Sequence, residues 1–107
     1  MAVENGRRLL GDLRTIRTSW DDLITSRRGS APWRVADLLL QQPVIDMPYV
    51  RDQLGITSAN AQIGIDRLVT DRIVTPIGSG RRDRLWQSPE VLEALESFAS
   101  RARRGRR

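Results

Sequence analysis

Residues 49–74 read YVRDQLGITSANAQIGIDRLVTDRIV, and their interpretation decides the fold. Tyr49, Val50 and Leu54 fall on one face of a short helix. Gly55 follows, where a left-handed C-terminal cap is wanted. Thr57 or Ser58 then caps a second helix. Ala61, Ile65, Leu68 and Val69 recur along it at steps of 4, 3 and 1, which is one apolar stripe. Leu54 and Ile56 flank the glycine and anchor the bend in a core. Two helices joined by a tight glycine turn make a helix-turn-helix, whose second helix is the one offered to a DNA major groove.

The segments on either side extend this pattern. PWRVADLLLQQ, residues 32–42, predicts a helix that starts at Pro32 and turns Val35, Leu38 and Leu39 inward. Pro43 ends it, because proline disfavours a helical residue before it. VID is a short extended piece, and Pro48 begins the helix of the opening stretch. After that stretch, IVTPI and LWQ read as strands joined by the charged, glycine-rich tip GSGRRDR, residues 78–84, and together predict a β-hairpin. Ser88 and Pro89 start a last helix with Val91, Leu92, Leu95 and Phe98 apolar. A hairpin directly after a helix-turn-helix is a wing.

Upstream, RRLLGDLRTIRTSWDDLITSR (residues 7–27) carries Leu9, Leu13, Ile16, Trp20, Leu23 and Ile24 at steps of 4, 3, 4, 3 and 1. This predicts an amphipathic helix whose stripe must bury against the chain or a partner. Leu9, Leu13, Ile16, Trp20 and Leu23 are therefore candidate interface residues, for a second copy or another domain. The expected fold is mainly α with a small β-hairpin: a winged helix-turn-helix preceded by an amphipathic helix. Its expected parts are an N-terminal helix and linker over 1–31, the winged domain over 32–100 and an arginine-rich, disordered tail over 101–107.

Composition sets further bounds. All 18 basic residues are arginine, which fits a GC-rich genome as well as bidentate phosphate contacts. Residues 1–42 hold seven Arg against five acids, residues 43–100 hold six against eight, and residues 101–107 hold five Arg and no acid. The body is thus close to neutral and the net charge of +5 comes largely from the tail. With no cysteine, disulfides and thiolate chemistry are excluded, and with no histidine the commonest general base and metal ligand are missing. No nucleophile sits beside a base and no glycine-rich phosphate loop follows a strand, so no catalytic role, cofactor or metal is expected. Asp21 with Asp22 reads as a charged helix face. No apolar run approaches the roughly 18 residues of a membrane span, and MAVENGRRLLGDL lacks an apolar export core, so a cytoplasmic protein is expected.

On the second helix of the turn, Ser58, Asn60, Gln62, Ile63, Asp66 and Arg67 face away from the apolar stripe. Asn and Gln read adenine with two hydrogen bonds and Arg reads guanine, so Ser58, Asn60, Gln62 and Arg67 are the candidate base readers. Asp66 and Asp71 oppose phosphate. Ile63 wants a thymine methyl or a protein surface. Arg81, Arg82 and Arg84 at the wing tip are candidates for backbone phosphate or the minor groove. The tail attracts any polyanion in a salt-sensitive, sequence-independent way.

The pieces LLLQQPVI, YVRDQLGIT, IDRLVTDRIV, GSGRRDRLW and SPEVLEALE, in that order, resemble the winged-helix region that follows the catalytic domain in many Fic (Fic/DOC) family proteins. RRLLGDLRTIRTSWDDLI is similar to the segment that connects the two. The resemblance covers residues 7–97. That family transfers AMP or a related phosphate-containing group to a protein hydroxyl through an H-x-F-x-[D/E]-G-N-G-R motif, which a chain without histidine lacks. The resemblance therefore implies a regulatory or targeting module, cut from a longer protein or standing alone, and no catalysis in this chain. Two positions depart from the pattern: Ile63 stands where a basic or polar residue is frequent, and Arg72 where a glycine often ends the helix. The partners these features fit are duplex DNA, a Fic catalytic domain or other protein, and a second copy through the N-terminal helix. A membrane is not among them. A protein-docking or dimerisation module is the alternative to DNA binding.

Overall fold

A computed structural model describes residues 2–78 and 83–105. The chain folds as five helices and three strands: α1 (Ala2–Trp20), α2 (Ala31–Leu39), β1 (Val44–Ile45), α3 (Met47–Leu54), α4 (Ser58–Thr70), β2 (Thr75–Ile77), β3 (Leu85–Gln87) and α5 (Pro89–Arg104). The strands form one antiparallel sheet in the order β1-β3-β2. This is the winged helix-turn-helix expected from the sequence, with an added helix at the N-terminal side.

Local chemistry sets most boundaries. Asp46 caps α3 by accepting from the Tyr49 amide at 2.8 Å, Thr57 caps α4 by accepting from Asn60 at 3.1 Å, and Ser88 caps α5 through Val91 at 3.3 Å. Gly55 ends α3 at φ 63°, the left-handed conformation a side chain disfavours. Arg72 adopts φ 63° as well, just past the end of α4. A non-glycine residue there is held in a costly conformation. Replacing Arg72 with glycine should raise stability by about 0.5–1 kcal/mol, read as a shifted urea midpoint at unchanged slope. A drop would show that the arginine side chain contributes more than the backbone costs.

The core gathers Trp33, Val35 and Leu39 from α2, Val50 from α3, Ala61, Ile65 and Leu68 from α4, Ile45 and Trp86 from the sheet and Val91 from α5. Ile73 and Val74, between α4 and the sheet, are buried with them. Pro76 lacks an amide hydrogen and sits on β2, an edge strand, where that costs no ladder bond. The sheet has one more strand than the expected hairpin. Val44 and Ile45 pair with Gln87 and Trp86, and the Ser88 amide donates to the Pro43 carbonyl at 2.9 Å.

Two boundaries differ from the sequence reading. The first helix ends at Trp20, not near residue 27. Asp21 and Asp22 would place negative charge at the negative end of the helix dipole, and Ile24 instead turns into the core. The last helix runs through Arg101–Arg104, where the sequence predicts a disordered tail. Arginine is a good helix former and is favoured at a helix C-terminus, and Arg101 is also tied to α1.

That tie belongs to the pairing of α1 with α5, which run antiparallel. Asn5 Nδ2 donates to the Phe98 carbonyl at 3.1 Å and Arg101 Nε donates to Asn5 Oδ1 at 2.6 Å. At the other end Trp20 Nε1 donates to Glu90 Oε1 at 3.2 Å. Leu13 and Ile16 are half-buried against the core and Trp20 is fully enclosed. Most of the α1 stripe thus finds its cover within the chain, while Leu9 is half-buried and Leu23 is exposed. Arg17 bridges α1 to α2, with 2.7 Å to Asp37 and 2.9 Å to Asp21. Partial burial works against its charge, but the hydrogen bonds and charges of the two carboxylates prevail and raise its pKa. Among the described residues no helix is long and apolar enough to cross a membrane.

Candidate nucleic-acid interface

The site is built on α4. Leu54 and Ile56, half-buried on the core, fix the turn that delivers the helix. Behind α4 lies α2, approached so closely at Gly64 that a Cβ there would stand 3.2 Å from Ala31 Cβ and 3.3 Å from Val35 Cγ2. With Ala61, Ile65 and Leu68 inside, a rotation of about 100° per residue puts Ile63 near the middle of the opposite face. Asn60, Ile63, Asp66, Arg67 and Thr70 are all exposed.

The candidate base readers have different surroundings. Ser58 and Asn60 are exposed at the first turn. Gln62 is half-buried, and its Nε2 donates to Asp66 Oδ1 at 2.8 Å, one turn along. That bond occupies one donor of the amide and one oxygen of the carboxylate. Arg67 is exposed and its Nη2 donates to Thr25 Oγ1 at 3.3 Å, so the guanidinium leans toward the loop between α1 and α2.

That loop brings charges no spacing along α4 predicts. Ser26, Arg27, Ser30, Arg34, Asn60, Ile63 and Arg67 line a single open groove of about 750 Å³. Trp33 pins the loop by donating from Nε1 to the Ser26 carbonyl at 2.9 Å, and Arg28 stacks 4.6 Å above its ring. Arg34 donates to the Leu54 carbonyl at 2.9 Å and so braces the end of α3. Among the described residues Arg27, Arg34 and Arg67 have no ion-pair partner. Arg51 borders the α4 N-terminus, with Nη1 at 3.5 Å from Ser58 Oγ and Nε at 2.9 Å from Asp52. The hydrogen bond and then the charge of Asp52 raise the Arg51 pKa, so this group stays cationic. Arg27, Arg34 and Arg51 were missed in the sequence because they lie outside α4. The RR pair before Gly29 was the available signal.

Of the wing arginines, Arg81 and Arg82 lie outside the described residues. Arg84 is exposed, with its guanidinium 4.8 Å from the centre of the Trp86 ring. Stacking there orients the charge without neutralising it. No group of three or more acidic, cysteine or histidine side chains that could hold a metal ion occurs among the described residues.

Neither a family model nor a curated protein matches the chain. Among solved structures it is similar to RV1404 from Mycobacterium tuberculosis. The two are 17% identical, with a TM-score of 0.53, and the match covers 96% of this chain and 70% of that one. At that identity the likeness concerns the fold alone. It spans nearly the whole chain, so α1 and α5 belong to the shared architecture together with the winged core.

Proposed function

We propose that this chain is a winged-helix module that binds duplex DNA, with α4 in the major groove, and acts as a regulatory or targeting part of a Fic-like protein in the cytoplasm. The observation that carries the reading is the groove in which the exposed face of α4 meets Arg27, Arg34 and Arg67, three guanidinium groups without a carboxylate partner among the described residues. Unpaired arginines beside a solvent-facing helix have the chemistry to hold phosphate in register. Asn60 at the first turn suits adenine and Arg67 suits guanine. Ser58 and Gln62 border them, and Arg84 with Arg81 and Arg82 would reach phosphate from the wing.

The separate jobs of these arginines give a test. Fluorescence anisotropy with random-sequence duplex DNA, repeated over a series of salt concentrations, should show binding that weakens as salt rises. Arg27→Ala should weaken binding to all sequences alike and reduce the slope of log affinity against log salt by about 0.9, one phosphate contact. Arg67→Ala should cost about 1–3 kcal/mol on a preferred sequence and relax the choice of base there. Binding unchanged by both substitutions would remove the groove from the interface.

A second reading rests on a different surface. Val3 and Leu10 on α1 are 65% and 54% exposed and lie two helical turns apart. They offer an apolar strip to a second copy or to a Fic catalytic domain. Sedimentation velocity over a range of concentrations separates the cases, since a monomer throughout removes the homodimer.

A further inference from the structure

Ile63 is the feature that phosphate binding leaves unexplained. It is 62% exposed, near the middle of the outer face of α4. Its exposed neighbours on that face are the polar Asn60, Asp66, Arg67 and Thr70 and one small apolar residue, Ala59, while Ala31, Pro32 and Ile56, which share its groove, are buried or half-buried. A protein partner that valued this side chain would need a contiguous apolar patch around it. A single branched apolar group set among hydrogen-bonding side chains suits a target of the same pattern. The major-groove edge of an A·T pair has that pattern: donors and acceptors, with one methyl group on thymine.

Two further observations narrow the reading. The Gln62 amide is engaged by Asp66 at 2.8 Å and the Arg67 guanidinium leans toward Thr25 at 3.3 Å, which makes Asn60 and Ile63 the side chains on the middle of this face most able to reach base edges. Ile63 also lies one turn beyond Asn60, a rise of about 4.5 Å along the helix axis. Successive base pairs are about 3.4 Å apart, so the two residues address the same pair or adjacent pairs. We infer that Ile63 packs against the 5-methyl group of a thymine beside the adenine bound by Asn60, and is a specificity-determining residue of α4. This rests on the DNA-binding reading above and adds to it a required base and the atom recognised. Asp66, held by Gln62, flanks the contact and discourages a guanine edge, whose N7 and O6 are both acceptors.

The test separates the two claims. Duplexes enriched from a random-sequence pool by the full chain are remade with uracil in place of thymine at one position at a time, which removes only the methyl group. Their affinities are then compared for the unaltered chain and for Ile63→Ala. Because Ile63 is exposed, the substitution should leave the thermal melt unchanged. Loss of one buried methyl contact corresponds to about a threefold to fivefold weaker affinity. The expected result is that loss at one thymine position for the unaltered chain, and no discrimination between thymine and uracil there for Ile63→Ala. Specific binding that ignores uracil at every position overturns this inference and leaves DNA binding standing. No enrichment and no duplex binding overturns both.

Discussion

Replacing Trp20 with alanine should destabilise the fold by about 3–5 kcal/mol, the range for deleting a large aromatic side chain from a packed core. Trp20 is 0% exposed, although it closes a helix that precedes the winged domain in sequence. Its indole belongs to the same hydrophobic cluster as Trp33, Trp86 and Val91, and its Nε1 donates to Glu90 at the start of α5. The truncation leaves a cavity where α1 reaches the core and removes the bond to Glu90, an exposed residue whose carboxylate water can then solvate. Small domains hold only about 5–15 kcal/mol in all, so the variant should melt many degrees lower, as read by circular dichroism. Trp20→Phe, which keeps a six-membered aromatic ring but loses the pyrrole half of the indole and its hydrogen bond, should cost less. A cost below about 1 kcal/mol for alanine would mean that α1 is not part of the cooperative unit. The same variant bears on the alternative in which the α1 stripe is a dimer seam. A residue buried within one chain changes the stability of the monomer, whereas a seam residue changes the dissociation constant.

Gly64→Leu should be the second large loss, about 2–3 kcal/mol from overpacking and accompanied by weaker DNA binding. The backbone of α4 passes α2 so closely that even a Cβ lies 3.2 Å from Ala31. A leucine has nowhere to go, because Ala31 and Val35 belong to a helix tied to the core by Trp33 and Leu39. Relief requires α4 to move off α2, which opens the groove shared by Arg27, Arg34 and Arg67. Gly64→Ala should fall between, since its tighter contact is offset by about 1 kcal/mol of helix propensity. Urea unfolding gives the stability and the anisotropy titration gives the binding. A Gly64→Leu variant as stable as the original would show that the two helices slide apart freely.

What was legible in the sequence was what neighbouring residues decide among themselves. Thr57 and Ser88 cap helices through amides three residues on, and Gly55 closes α3 in the left-handed conformation. These bonds depend on spacing alone, so the helix-turn-helix and the strands after it could be read directly. Long-range partners could not. The α1 stripe announced a need for cover, but not that α5, some 90 residues away, supplies it through Asn5 and Arg101. The same pairing carries α5 through Arg104, where composition suggested a loose tail. Val44 and Ile45 read as extended, yet only the fold shows them pairing with β3. At the candidate site, Asn60, Ile63 and Arg67 followed from helical periodicity. Arg27 reaches α4 from a loop that Trp33 pins and Arg34 reaches it from α2, neither of which spacing along α4 reveals, and the Gln62 amide is bonded to Asp66.

Whether duplex DNA meets the face of α4, as proposed, or only the basic chain end can be read from the amide shifts of isotopically labelled full-length protein while a short duplex is added. DNA binding through α4 predicts that the largest changes fall on residues 58–67 and 26–34, with Asn60, Ile63 and Arg67 among them, and that α1 and the end of α5 stay nearly still. Changes confined to Arg101–Arg104 and the residues beyond, with α4 silent, would contradict it and mark the arginine-rich end as a nonspecific polyanion contact.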